Sequence, residues 1–285
     1  HNKGVYTYQP EILENFGKFL HVSELPKYSC KFASMIREIH KSEGMVFIYT
    51  NWIKGCLIPL SLMLEQNGYL PYNSKPSLSE TPDTRHGSYI AITPEKMGSS
   101  QQLQTLLSVA TSTDNADGST IKIIIGSSVA AEGLDFKHIR AIHILEPWRN
   151  LNKLEQVIGR GVRNCSHKAL SPEKRNATVY LHNAMFHHTD MNVGTLDTYL
   201  YRYSEDKARH IGNVETILKE VAIDKCLFEK MNMLLRKSSV TPIKVQRPIR
   251  NTDMFTVYPY DKPNSRVCSF QPHCNYVSQE CNIHK

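Results

Sequence analysis

A run of isoleucines interrupted only by a lysine, Ile121-Lys122-Ile123-Ile124-Ile125, restricts the fold of this chain more than any other stretch. β-Branched side chains are stiff at χ1 and favour an extended backbone. A strand that is apolar on both faces has to be covered on both faces, which is the situation of a parallel sheet with helices on either side. Gly126-Ser127-Ser128 follows as a turn of small and hydroxyl residues at the strand's carboxyl end, where open α/β sheets bind their ligands. The next apolar run, Ile139 to Leu145, reads as a second strand in βαβ winding.

The rest of the chain agrees with that architecture. Met45 to Tyr49 reads as a buried strand ending in polar Thr50 and Asn51, and a helix after it carries Ile53, Leu57, Leu60 and Leu64 on one stripe and stops near Asn67-Gly68. Tyr89 to Thr93 and Thr178 to Leu181 supply further strands. Ahead of the first strand, Phe32, Met35, Ile36 and Ile39 stand at i, i+3, i+4 and i+7 of a helix. Four segments result: a lead-in segment and helix over 1–44, an α/β lobe over 45–190, a helical extension over 191–240, and a tail over 241–285. In the extension, Glu205 to Lys237 places Ile211, Val214, Leu218 and Val221 on one stripe, as an amphipathic helix packed on the lobe requires.

Chemistry concentrates in Gln156-Val157-Ile158-Gly159-Arg160-Gly161-Val162-Arg163. On a helix, Gln156, Arg160 and Arg163 fall at i, i+4 and i+7 and share one face. Two guanidiniums there can fork onto phosphate oxygens and offset charge on a transferring phosphoryl group. Arginines along one helix face are equally the ordinary make-up of a solvated surface, so the upstream context decides.

That context is Gly133-Leu134-Asp135, between the two strands and ahead of the arginine helix. Gly133-Leu134-Asp135 and Gln156-x-x-Gly159-Arg160-x-x-Arg163 resemble motifs V and VI of superfamily 2 helicases, in order and each in its strand or helix context. Met45 to Trp52 resembles motif IV, which opens the second RecA-like lobe of such proteins, and Ser29-Cys30-Lys31-Phe32 resembles the entry of the Snf2-like branch. Asp114-Asn115-Ala116-Asp117-Gly118, Leu145-Glu146-Pro147-Trp148-Arg149-Asn150-Leu151 and Arg163-Asn164-Cys165-Ser166-His167 are similar to the helicase-like NTPases of nucleocytoplasmic large DNA viruses. These are the poxvirus and asfarvirus type that includes the early transcription factor small subunit, and an asfarvirus member fits best. The similarity runs over about residues 25–285, departing at Ala222-Ile223-Asp224-Lys225-Cys226, where the pattern has no lysine before the cysteine.

The resemblance implies an α/β RecA-like parallel sheet flanked by helices, with a C-terminal helical extension. It makes Arg160 and Arg163 the catalytic arginines, one of them the arginine finger. Gln156, Gly133 and Asp135 become ATP-site residues, and Ser127, Thr50 and Asn51 nucleic-acid contacts; each of these last could instead be a turn or capping residue. ATP and Mg2+ are the implied cofactors. The chain has no Gly-x-x-x-x-Gly-Lys-Ser/Thr and no Asp-Glu box after an apolar strand, so the phosphate loop and the magnesium ligands are expected on an N-terminal RecA-like lobe of the same polypeptide. A start at His1-Asn2-Lys3-Gly4 fits an excised piece of a longer chain. Further implied partners are DNA or RNA and viral RNA polymerase or transcription factors, in the cytoplasmic viral factory and the virion rather than in secretion. The competing reading is a catalytically silent scaffold that recruits a viral transcription complex.

Composition narrows the field. With 285 residues, 40% of them hydrophobic, the chain can bury one substantial core plus appendages. No apolar run approaches the ~18 residues of a membrane span, so no membrane partner is expected. Lys and Arg number 34 against 27 Asp and Glu, a net charge of +7 that permits a phosphate-backbone partner without requiring one. Loops over 72–88 and 111–120 are polar enough to move and to lie near nucleic acid. Seven cysteines without a secretory signal read as reduced intracellular thiols. Cys268, Cys274, Cys281 and His284 make a Zn2+ ligand set in kind, though only Cys281-x-x-His284 has the usual interval, and a tail with solvent-exposed thiols is the alternative.

Overall fold

The computed structural model of the chain describes residues 5–82, 84–93, 100–127, 134–186, 194–223, 241–246, 254–257, 262–266 and 268–272. In chain order the elements begin with α1 (Pro10–Phe16), α2 (Leu25–Tyr28), α3 (Cys30–Lys41), β1 (Met45–Tyr49) and α4 (Ile58–Gln66). Next come β2 (Tyr69–Pro71), β3 (Gly87–Ile92), α5 (Ser100–Ala110), β4 (Ile123–Gly126) and β5 (Ile139–Ile144). The last are α6 (Leu151–Gly161), β6 (Thr178–Leu181), α7 (Leu196–Val221), β7 (Ile243–Gln246) and β8 (Met254–Val257).

Six strands form one sheet in the order β2-β3-β4-β1-β5-β6, and every pairing in it is parallel. The isoleucine run lies beside β1 in the middle, with Val46 opposite Ile123 and Ile48 opposite Ile125. Side chains alternate between the two faces. Val46, Ile48, Ile123 and Ile125 pack with α3 and α4, whereas Met45, Phe47, Ile124, Ile142 and Ile144 pack with α5, α6 and Phe136. At about 1.5–3 kcal/mol per fully buried aliphatic side chain, these two layers dominate the stability of the lobe. The architecture is the expected α/β RecA-like sheet flanked by helices.

Helix α3 belongs to the lobe. Ala33, Met35, Ile36 and Ile39 are fully buried in the same cluster as β1 and β4, so a division at residue 45 passes through the core. Ser29 caps this helix by accepting the amide of Phe32 at 3.3 Å, which is the physical content of the Ser-x-Lys-Phe entry. The helix after β1 opens with one π turn, Ile53–Leu57, immediately ahead of Pro59. Proline offers no amide and crowds the preceding turn of an α-helix, and a wider turn accommodates both.

Both long loops are more firmly held than their polarity predicts. Leu78 is buried, its amide donates to Glu65 Oε2 at 2.6 Å, and the Tyr89 hydroxyl occupies Glu65 Oε1 at 2.7 Å. Asn115, 1% exposed, donates to the carbonyls of Ala110 and Ile121 and accepts the amides of Thr120 and Ile121, closing the 111–120 loop on itself.

The extension differs from its expected packing. Ile211, Val214, Leu218 and Val221 are all exposed, and the buried positions of α7 among the described side chains are Ser204, Ala208 and Gly212. A Cβ on Gly212 would lie 2.0 Å from the carbonyl oxygen of Ser269, so small residues let the 268–272 segment approach the helix backbone. The stretch 224–240 lies outside the described residues. The tail contains the antiparallel pair β7–β8, which the sequence pattern did not suggest. No helix among the described residues is long and apolar enough to cross a membrane.

Candidate functional site

Helix α6 leaves the carboxyl end of β5 and runs back along the sheet, so its last turn lies at the amino end of β5. Two backbone bonds pin it there: Phe136 N–H donates to the Arg160 carbonyl and His138 N–H to the Ser166 carbonyl, each at 3.0 Å. Leu154, Val157 and Gly161 face the sheet. A Cβ on Gly161 would sit 3.0 Å from Ile142 Cδ1 and 3.2 Å from Ile139 Cγ2, so glycine is what lets this turn lie close to the strand. Gly159 points the other way, with nothing within 4 Å of the space its Cβ would fill.

The polar groups of that open face converge on one carboxylate. Arg163 forms an ion pair with Asp135, and Arg160 Nη1 lies 3.7 Å from the same Asp135 oxygen and 3.4 Å from the Leu134 carbonyl. The three do not share a helix, however. Helix α6 stops at Gly161, with Val162 outside the helical conformation, so Arg163 reaches Asp135 from the loop beyond, not from an i+7 position. The Arg163 amide is held by Ser166 Oγ at 3.1 Å, that hydroxyl contacts His167 Nδ1 at 2.8 Å, and His167 Nε2 contacts the Ile139 carbonyl at 2.6 Å. The loop is therefore stapled to β5. Gln156 is exposed and its side chain makes no hydrogen bond among the described residues, and Gly133 lies outside them.

The opposite, carboxyl end of the sheet holds the residues expected to contact nucleic acid, and it buries two of them. Thr50 is fully buried and its hydroxyl donates to Glu146 Oε1 at 2.7 Å, while Glu146 Oε2 accepts the Asn51 amide at 3.1 Å. Asn51 Oδ1 accepts the Tyr49 hydroxyl at 2.7 Å. Ser127 is likewise fully buried, with Oγ 3.4 Å from the Ile92 carbonyl. In this conformation the hydroxyls of Thr50 and Ser127 serve the turns after β1 and β4 and are not presented to a phosphate. A hydroxyl at a strand end satisfies the local backbone more readily than it faces solvent.

Glu146 and its neighbours were not legible as site residues. Glu146 immediately follows the apolar run Ile139–Leu145, and an acidic side chain at the mouth of a buried strand is the signal that could have found it. Lys31 donates to the Leu145 carbonyl at 3.0 Å and pairs with Asp197 at 2.5 Å, and Asp197 accepts the Ala184 amide at 2.9 Å. This chain of contacts ties α3, the β5 loop and the start of α7 together. Burial, with the nearby Glu146 carboxylate adding to it, pushes the Cys56 thiol up to about 12, so this thiol is neutral.

Among the described residues no group of three or more His, Cys, Asp or Glu side chains is placed to hold a metal ion. Of the tail ligands, only Cys268 lies within them, and it is buried and disulfide-bonded. A sulfur in a disulfide is not a thiolate, so in this state Cys268 is neither a zinc ligand nor a reduced thiol. Cys30, Cys56 and Cys165 are free thiols, and Cys274, Cys281 and His284 lie outside the described residues.

Residues 30–165 match the helicase conserved C-terminal domain. A protein of Acanthamoeba polyphaga mimivirus named as an ATP-dependent RNA helicase is 31% identical over 215 residues, covering 75% of this chain and 35% of the relative. A protein of Invertebrate iridescent virus 3 named as a helicase is 30% identical over 219 residues, 75% of this chain and 22% of that one. An African swine fever virus protein named early transcription factor large subunit homolog, where the resemblance pointed to the small subunit, is 28% identical over 276 residues, 87% of this chain and 24% of that one. The chain thus spans between 22% and 35% of the length of these relatives. Among solved structures, the C-terminal part of the Fun30 ATPase domain aligns over 63% of this chain and 54% of that one, with a TM-score of 0.39 at 11% identity. Residues 30–165 are thus a helicase conserved C-terminal domain, and viral helicases of superfamily 2 are the homologues of this chain.

Proposed function

We propose that the chain is the second motor lobe of an ATP-dependent superfamily 2 nucleic-acid helicase or translocase that serves viral transcription. The observation that carries this reading is the convergence of Arg160 and Arg163 on Asp135, at the open end of a helix that Gly159 leaves bare. Two guanidiniums held beside an exposed face fit an anion. Asp135 orients them until phosphate oxygens compete for the same donors, and the side chains of an exposed ion pair exchange partners at little cost. Bound across the cleft, ATP with Mg2+ supplies the phosphoryl group to be transferred. Arg160 and Arg163 then offset the charge that spreads over the transferring oxygens, an effect of about a thousand-fold or more in turnover for an arginine finger. Gln156, exposed on the same face as Arg160, would add a contact to the nucleotide. The missing Gly-x-x-x-x-Gly-Lys-Ser/Thr and Asp-Glu motifs support placing the phosphate loop and the magnesium ligands on an upstream lobe of the same polypeptide. The viral factory and the virion are the expected places of action, in line with a relative named as an early transcription factor subunit.

The test is calorimetry and phosphate release on this chain alone and on a longer chain that carries the upstream lobe. The chain alone should neither bind ATP tightly nor hydrolyse it, while the longer chain should do both; micromolar affinity with turnover in the chain alone would overturn the reading. A second reading, a silent recruitment scaffold, is favoured by the apolar stripe of α7, whose Val214, Leu218 and Val221 are 57%, 60% and 69% exposed. It prevails if the longer chain lacks a working phosphate loop.

A further inference from the structure

We infer that the carboxyl edge of the sheet is a base-stacking site for single-stranded nucleic acid, built on Trp52 and Trp148. The inference rests on the reading of the chain as a nucleic-acid motor lobe, and it moves the contact away from Thr50 and Ser127, whose hydroxyls are buried.

The chain has two tryptophans, and both stand just past the carboxyl ends of adjacent parallel strands, Trp52 after β1 and Trp148 after β5. The two residues are 64% and 37% exposed. A single exposed apolar side chain needs no explanation. These two differ because the backbone beneath them is pinned. The Trp52 amide donates to Thr50 Oγ1 at 3.3 Å, Thr50 donates in turn to Glu146, and Glu146 holds the Asn51 amide, so one carboxylate locks both loops. The Trp148 loop is fixed again by Leu145, whose amide donates to the Tyr49 carbonyl at 3.1 Å, and by buried Pro147. Indole rings presented on a rigid backbone lose little entropy when a ligand stacks on them.

Charge chooses the occupant. Lys54 and Arg149, each within two residues of one tryptophan, are exposed and make no ion pair among the described residues. Glu146 turns its carboxylate inward, where donors from Thr50 and Asn51 offset part of the charge that would repel a phosphate. Aromatic rings interleaved with unpaired cations are the chemistry that binds single strands, the rings taking base faces and the cations taking phosphates. A duplex keeps its base faces stacked on one another, so this edge discriminates against it.

The two indoles are themselves the probe. Titrating the chain with an oligothymidylate of about 15 nucleotides, long enough for a site of this kind, should quench its tryptophan fluorescence, and a duplex of the same length should quench less. Trp52→Ala and Trp148→Ala should each weaken binding roughly 5- to 150-fold, the equivalent of the stacking lost per base. The slope of log affinity against log salt should not change in those variants, and phenylalanine at either position should restore most of the affinity. Lys54→Ala and Arg149→Ala should instead lower the slope by about 0.7 each. Circular dichroism and melting curves matched to the unsubstituted chain certify the fold of each variant. Should either alanine variant fail to fold, quenching of the single-tryptophan phenylalanine variants reads the same contact. Salt-sensitive binding that is unchanged in both alanine variants, or that leaves the fluorescence unquenched, overturns the stacking site and assigns the rings to a protein partner, with the motor-lobe reading intact. Absence of binding to any oligonucleotide at low salt overturns both.

Discussion

At the amino end of β5, Arg160, Arg163 and Asp135 meet with side chains 17%, 49% and 55% exposed, whereas at the carboxyl end the Thr50–Glu146 pair works with a hydroxyl that solvent does not reach. The two arrangements use similar polar contacts to opposite effect. An ion pair in contact with water contributes between zero and about 1 kcal/mol, so a phosphate can take it over. A hydroxyl sealed in the protein costs about 1–3 kcal/mol if its acceptor is removed, so that contact is structural and does not exchange. The contacts at the amino end exchange readily, and those at the carboxyl end hold two loops still.

The sharpest way to break this contrast is to alter the arginines in a longer chain that includes the upstream lobe. Arg163→Lys keeps the charge but loses the fork, and turnover should fall about a thousand-fold with little change in KM, because the contact matters mainly once charge spreads in the transition state. Arg160→Lys should behave alike. Near-normal kcat in both would leave this end an ordinary charged surface.

At the other end the expected loss is of stability. Glu146→Ala strands the buried Thr50 hydroxyl and should cost about 1–3 kcal/mol in denaturant unfolding, while Thr50→Val in the same background should recover part of it. An unchanged midpoint in Glu146→Ala would mean that the clamp holds nothing.

Acid sharpens the comparison further, because the carboxyl end also buries a histidine pair. His143 Nδ1 and His182 Nε2 are 2.9 Å apart, and His143 stacks on Tyr180 with ring centroids 4.5 Å apart. Burial, and to a lesser degree the charge His182 would carry, lowers His143 to about 3; burial and then Lys31 lower His182 to about 4. Both pKa values lie below the 6.5 of an unfolded histidine, so as pH falls the unfolded chain takes up these protons first. Stability is therefore complete above about pH 6.5 and is lost between there and about pH 3, by at most about 1.4 kcal/mol per pH unit for each histidine. Melting curves across that window should show the decline, and His143→Leu should flatten it; an identical slope in the variant would rule this pair out as its source.

The smallest effect separates two glycines two residues apart. Gly159→Ala fills open space and should raise stability by roughly 0.5–1 kcal/mol, the helix-propensity difference, while Gly161→Ala must displace Ile139 or Ile142 and should lower it. If Gly159→Ala also slows turnover in the longer chain, the bare face is where the nucleotide or the upstream lobe sits.

How much of this was legible varied with the physics involved. Ile121 to Ile125 announced a strand buried on both faces because the isoleucines sit on both pleat faces, and the alternation into two cores followed. The packing face of α7 was misread: Ile211, Val214, Leu218 and Val221 have the spacing of a buried stripe, yet the neighbouring face with Ser204, Ala208 and Gly212, about 100° round the helix, is the buried one, where Ser269 lies against Gly212. No periodicity reports that a backbone elsewhere in the chain will lie against a helix. Asn115 and Glu65 were likewise invisible, because their partners are set by where loops return to the core.

The sequence by itself determined the strand-rich core, the parallel class of the sheet, the helix that carries Gln156 and Arg160, and the resemblance to a helicase C-terminal lobe, because these depend on local periodicity and on residue types at short spacing. Only the tertiary structure decided that Arg163 stands beyond that helix and pairs with Asp135, that Thr50 and Ser127 face inward, and that Glu146 binds two loops into one edge. The reason is that a side chain's chemistry is local, whereas its exposure and its partner are set by segments such as Tyr49–Asn51 and Leu145–Pro147, which meet only once the strands between them have been paired.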